Sequence, residues 1–186
     1  DAEVLGYNMR SIKRKHIPQL RRKLGIVFQD FQLLTDRTVY NNLEFVLRAT
    51  GWKNKQEIKE RIEEVLDLVG MSNKGYKIPN ELSGGEQQRI VIARAVLNSP
   101  AIILADEPTG NLDSKTTMEV LRLMQRIVRE QQQTLVMVTH DNYIAGFADR
   151  QFHIVDGKIL KIEEKKKETQ EAVQEMQDAL HRGEES

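Results

Sequence analysis

The sequence predicts an α/β fold built on a mainly parallel sheet, with a helical subdomain inserted into it. Three observations carry this. Ala101–Ala105 is a continuously apolar run that ends in the acidic pair Asp106-Glu107, and Leu135–Val138 is a second such run ending at Thr139-His140. Runs of this kind suit parallel strands covered on both faces. Helix patterns separate the strand patterns, the alternation typical of such a sheet. Between Thr38 and Gly70, however, two helix patterns follow one another with no strand between them.

Taken in order, Asp1–Tyr7 reads as the end of a strand pattern with nothing before it. Residues 10–23 carry Arg10, Lys13, Arg14, Lys15, Arg21, Arg22 and Lys23 on a short helix and its linker, a run that reads as a solvated face. Leu24–Phe28 is a short strand ended by Gln29-Asp30-Phe31-Gln32. Thr38 can cap a helix with Val39, Leu43, Val46 and Leu47 on one face, closed by Gly51. A second helix from about Lys55 places Ile58, Ile62, Val65, Leu66 and Val69 together and ends at Gly70. Residues 71–81 read as loop. Leu82-Ser83-Gly84-Gly85-Glu86-Gln87-Gln88-Arg89 then opens a helix that runs to about Asn98.

That octet carries a capping box, because the Ser83 hydroxyl can accept from the amide of Glu86 while the Glu86 carboxylate reaches back to the amide of Ser83. Two glycines in the first turn cost about 1 kcal/mol each against alanine. They leave bare backbone at a helix end whose free N–H groups and positive dipole suit a phosphate. After the Ala101–Ala105 strand, Pro108–Asn111 must turn, and Asp113 or Ser114 can cap a helix reaching about Gln131. A shorter helix and two strands, near 151–155 and 158–162 around Asp156-Gly157, follow the second apolar run. A charged tail with Val173, Met176 and Leu180 as its apolar stripe ends the chain and reads as a solvated helix.

Composition narrows the function classes. Lys plus Arg and Asp plus Glu each number 28, so no overall field recruits nucleic acid or an anionic membrane. Without cysteine there is no disulfide framework, thiol nucleophile or Cys-ligated zinc. No apolar run approaches the roughly 20 residues of a membrane span. The chemistry lies instead where ligands of open α/β sheets lie, beyond the carboxyl ends of the strands. Three strand patterns end there in Gln29, in Asp106-Glu107 and in His140. Two adjacent carboxylates closing an apolar strand are costly unless a cation or hydrogen bonds compensate. A magnesium ion on nucleotide phosphates meets that need.

In this order the residues resemble the ABC-type ATPases. Gln29 matches the Q-loop, Leu82–Glu86 the signature, Ile102–Asp106 the Walker B strand with Glu107 as its catalytic glutamate, Asn111–Asp113 the D-loop, and His140 the switch histidine. The resemblance implies ATP and Mg²⁺ as cofactors. Asp106 would hold the metal through water with Gln29 beside it, Glu107 would polarise the attacking water, and His140 and Gln29 would sense the γ-phosphate. Ser83, Gly84, Gly85, Glu86 and Asp113 would meet nucleotide at a head-to-tail homodimer interface.

Within the family, Ala105–Asp113 is similar to the branch of FtsE-, lipoprotein-release- and macrolide-efflux-type ATPases, and Val27–Leu34 with Asp36–Tyr40 is most similar to the FtsE type. That resemblance implies an FtsX-like transmembrane partner, a role in cell division, and a cytoplasmic place on the inner face of the plasma membrane, reached only through the partner. Exposed Phe31, Leu33 and Leu34 would supply the groove for the partner's cytoplasmic helix, or else pack under the helical insertion. The family's Gly-rich P-loop is missing, since no Gly-Lys-Ser/Thr occurs in the sequence, and so is the aromatic residue that precedes it. The expectation is therefore a P-loop NTPase of ABC type that is N-terminally truncated, an ATPase when intact and inactive alone in this form. Its domain would cover 1–162, with the helical signature subdomain at about 35–98, and the tail 163–186. A non-hydrolysing interaction fragment is the alternative of a different class.

Overall fold

A computed structural model describes residues 2–165. The chain divides into two compact units between Val138 and Thr139.

In the first unit β1 (Glu3–Val4) and β2 (Tyr7–Asn8) pair antiparallel. Leu5 and Gly6 turn between them at φ of 51° and 81°, the double positive φ of a tight hairpin turn. The opening residues thus form their own hairpin, because the Leu5-Gly6 pair can turn where a continuing strand could not. A 3₁₀ turn at Arg14–His16 runs into α1 (Ile17–Arg22), which buries Leu20 and leaves its cations exposed.

The sheet follows. Strand β3 (Leu24–Val27) pairs in parallel with β4 (Ile102–Asp106), and β4 pairs in parallel with β5 (Thr134–Val138). Between β3 and β4 lie three helices with local caps. Thr38 caps α2 (Val39–Ala49), Asn54 caps α3 (Lys55–Leu68), and Ser83 caps α4 (Gly84–Val96). Gly51 and Gly70 end the first two at φ of 97° and 71°, where a side chain would be strained. Asp113 caps α5 (Ser114–Glu130) between β4 and β5.

One core joins these elements. Val27, Ile103 and Ala105 on one face of the sheet cluster with the buried faces of α2 to α5. Helix α4 is its hub, in contact with β3, α2, α3 and α5, and it buries seven of its residues. The expectation that these strands are covered on both faces is not met. Ile26, Leu104 and Val136 sit side by side in register, and they are 42%, 38% and 49% exposed. Every helix that contributes to the core cluster packs on the opposite face, so the second apolar face of the sheet stays open in this unit.

In the second unit Asp141 caps the short helix α6 (Asn142–Ala145). Strands β6 (Arg150–Val155) and β7 (Lys158–Glu164) form an antiparallel hairpin about Asp156 and Gly157, again both at positive φ. The apolar stripe expected at Val173, Met176 and Leu180 lies outside the described residues.

Candidate functional site

The signature end is built by local hydrogen bonds. The Ser83 hydroxyl accepts from the Glu86 amide at 3.3 Å, and Glu86 Oε2 accepts from the amide and hydroxyl of Ser83 at 2.9 and 3.0 Å. The capping box read from the sequence is therefore formed on both sides. Lys74, from a 3₁₀ turn at Ser72–Lys74, places its Nζ 3.2 Å from Glu86 Oε1. The Ser83 amide, with help from Lys74, holds the Glu86 carboxyl below the usual carboxylate range.

Its two glycines differ in their surroundings. A methyl group on Gly85 would collide with the Thr116 side chain of α5, so close packing of the two helices demands glycine there. A methyl group on Gly84 would meet only Leu112 Cδ2 at 3.4 Å and Phe31 Cζ at 3.8 Å, ordinary contacts. Nothing inside this unit requires Gly84 to lack a side chain.

The turn after β4 joins this end. Ser83–Glu86 and Asn111–Asp113 line one open pocket together with Arg89, Thr116 and Glu119. Asp113 accepts from the Thr116 hydroxyl at 2.6 Å and its amide at 3.0 Å. Those bonds hold its carboxyl below the usual range. Glu107, directly after the last residue of β4, is half-buried at φ 43°. Its amide donates to the Val138 carbonyl at 3.0 Å, and its own carbonyl accepts from the Gly110 amide at 3.0 Å. Non-glycine residues held in this region cost on the order of 1–3 kcal/mol and persist where the surroundings over-determine them. Asp106, at the end of β4, is exposed.

Gln29, two residues beyond β3, comes to the same edge. Its carbonyl accepts from Asn111 Nδ2 at 3.1 Å, and a methyl group on Gly110 would lie 2.9 Å from its Nε2. Gln29, Asp106 and Glu107 thus share the carboxyl end of the sheet with the turn that reaches the signature. His140 follows β5 by two residues, is exposed, and belongs to the second unit. A second open pocket, lined by Asp30–Leu33, Thr35, Pro79, Gln87 and Asn111, adjoins Gln29. Phe31 and Leu33 are half-buried against the core, where the sequence predicts them exposed, and of the three only Leu34 is exposed, at 39%. Packing under the helical insertion accounts for the first two.

Three further residues knit the site together. Gln88 is fully buried and donates from Nε2 to the Pro108 carbonyl at 2.6 Å, tying α4 to the turn after Glu107. Arg94 donates to the carbonyls of Gln32 at 2.6 Å and Phe31 at 3.2 Å, and burial lowers its guanidinium pKa. Lys74 is the third. Each acts across a long sequence separation on backbone or on a carboxylate, and the only sequence signal is a polar residue among helix or loop positions.

The chain is similar in sequence and in fold to known proteins. The cell division ATP-binding protein FtsE of Streptococcus pneumoniae is 47% identical over 163 residues, covering 87% of this chain and 70% of that protein. The FtsE of Mycobacterium tuberculosis is 42% identical over 166 residues, covering 89% and 71%. Among solved structures, the ATP-binding cassette MJ0796, a dimer in a post-hydrolysis state bound to ADP and Pi, superimposes with a TM-score of 0.74 at 36% identity, over 87% of this chain and 71% of its own. A family model described as ABC transporter matches residues 2–110, which run from the first hairpin through the signature to Asp106 at the end of β4 and Glu107 directly after it. On that match and on the identities of its relatives, the chain belongs to the ABC transporter family.

Proposed function

We propose that this protein is the ATP-hydrolysing subunit of an ABC complex of bacterial cell division, working as a homodimer and coupling nucleotide turnover to an FtsX-like transmembrane protein. The observation that carries hydrolysis is the meeting of the signature end with the turn after β4 in one pocket, beside the strand ends that carry Gln29, Asp106 and Glu107. The division role is supported by the FtsE relatives at 42–47% identity. The dimer is supported by the dimeric cassette that superimposes on the chain.

Ser83, Gly84, Gly85 and Glu86 face the γ-phosphate of nucleotide held by a second copy, with Asp113 supporting the turn beside them. Gly84 fits this reading because no intramolecular contact explains it. Asp106 and Gln29 offer oxygen donors at one sheet edge, a set that suits Mg²⁺, which takes one or two protein oxygens and keeps water and phosphates for the rest. Bound there, the ion would neutralise charge on the phosphates. Glu107 accepts a proton from the attacking water, and His140 senses the γ-phosphate; for His140 the support is its motif position after β5. The 186 residues hold no Gly-Lys-Ser/Thr, whose loop supplies most phosphate-cradling amides, so on this reading they do not turn over ATP alone. The domain is read as 1–162, with the signature subdomain at about 35–98 and the tail from 163. No helix among the described residues is long and apolar enough to cross a membrane, and the place proposed is the cytoplasmic face of the plasma membrane, held by the partner. The balanced charge gives no reason to add nucleic acid to the partners.

Gly84→Ala tests the phosphate contact. Glycine in a helix is worth roughly 0.5–1 kcal/mol less than alanine, so the urea midpoint should hold or rise, while phosphate release by the full-length protein should fall at least about tenfold. Full turnover in the variant would remove the signature end from the reaction. For the cellular role, depletion should block septation and give filaments; a defect confined to lipoprotein release would favour the other branch.

A further inference from the structure

The pocket at the N-terminus of α4 is poor in positive charge. Three carboxylates line it, Glu86, Asp113 and Glu119, against one cation, Arg89. Arg89 is engaged with Glu119 at 3.3 Å and with the Val69 carbonyl at 3.2 Å. Asp113 is engaged with Thr116. Glu86 sits in the first turn of the helix itself, beside the amides of Gly84 and Gly85.

Magnitudes decide what that carboxylate does to an approaching anion. A helix N-terminus is equivalent to roughly half a positive charge, so one full negative charge in its first turn turns an attracting end into a repelling one. Lys74 reverses this. Its ammonium reaches Glu86 Oε1, the oxygen that Ser83 does not use, and its full positive charge restores the half-positive end. The pair itself contributes little to folding, because both side chains are partly exposed, at 41% and 29%, and exposed pairs are worth about 0–1 kcal/mol. Its effect is on the field in the pocket.

We propose that Lys74 is a positioning residue for the signature end, neutralising Glu86 so that the N-terminus of α4 accepts the phosphates of nucleotide held by a second copy. The proposal rests on the phosphate-facing reading given under Proposed function. Lys74 acts through Glu86 in the ground state and the transition state alike. Losing it should therefore raise the apparent KM for MgATP and leave kcat nearly unchanged.

The test is steady-state phosphate release by the full-length protein as wild type, Lys74→Met, Lys74→Arg, Glu86→Gln and the double variant Lys74→Met with Glu86→Gln. In Lys74→Met we expect KM to rise about fivefold, kcat to change less than about twofold, and the melting temperature to move by no more than about 3 °C. The KM ratio to wild type should shrink as salt is raised from about 0.05 to 0.5 M, because repulsion between exposed charges is screened. Lys74→Arg should keep the wild-type KM, and the double variant should match Glu86→Gln alone. A fold defect would produce neither the salt dependence nor the rescue. A wild-type KM in Lys74→Met, or the same fivefold rise in the Glu86→Gln background, overturns the proposal. Gly84→Ala, assayed alongside, separates the two levels: full turnover there defeats the phosphate-facing reading, and this proposal with it, whatever Lys74→Met shows.

Discussion

Glu107→Gln is expected to lower ATP turnover by the full-length protein by about 10²- to 10⁴-fold, the range supplied by a positioned proton acceptor, and to leave stability nearly unchanged. Glutamine keeps the shape of the side chain but loses its negative charge and, with it, the capacity to take a proton. The backbone supports the same expectation. Glu107 is held at φ 43° between the Val138 carbonyl and the Gly110 amide, bonds that glutamine forms equally well. The left-handed geometry therefore remains, and the side chain leaves the sheet edge in the same direction. Phosphate release read beside a urea unfolding curve separates the outcomes. Unchanged turnover would exclude Glu107 from the chemistry, whereas a lower midpoint would show that the variant disturbs the turn and that its activity reports on folding.

What the sequence revealed divides by the range of the interaction. The Ser83–Glu86 box, the Thr38 cap and the closing glycines at 51 and 70 were legible because each is decided within a few residues. The strand ends at Gln29 and Asp106 were legible for a similar reason, since an apolar run that stops at a polar residue marks where a sheet meets solvent. The open face of the sheet was not. Ile26, Leu104 and Val136 show that both faces favour burial, but hydrophobicity does not specify what covers a face. Nor did local pattern distinguish Phe31 and Leu33, which pack against the core, from Leu34, which does not.

The contacts that join the site into one object were the least legible. Gln88 reaches Pro108, Arg94 reaches Phe31 and Gln32, and Lys74 reaches Glu86; in each case the partner is set by tertiary packing, and neither residue type predicts it. Glu107 at positive φ gave no signal either, because that conformation is rare for glutamate and only the surrounding hydrogen bonds select it. The two glycines of the signature looked equivalent in sequence. Packing against Thr116 accounts for Gly85 and leaves Gly84 to be explained by something outside the unit.

The helix that carries the signature is also the centre of the core, and Ile90→Ala should show it. Ile90 is fully buried one turn and a half into α4, the helix that meets β3, α2, α3 and α5. Removing its outer carbons loses their transfer energy and leaves a cavity that four packed elements cannot readily close. The expected cost is about 2–5 kcal/mol, a large share of the 5–15 kcal/mol typical of a whole domain, and equivalent to a fall in melting temperature of roughly 5–20 °C. The matched control lies on the open face of the sheet. Val136→Thr replaces one methyl group by a hydroxyl of similar shape at a half-exposed strand position, so it should stay within about 0.5 kcal/mol. Equal losses in the two variants would mean that the second face of the sheet is buried in solution after all. A large loss at Ile90 alone would show that the signature end is held by a core packed on one side of the sheet, with the strand ends and their carboxylates carried on the same framework.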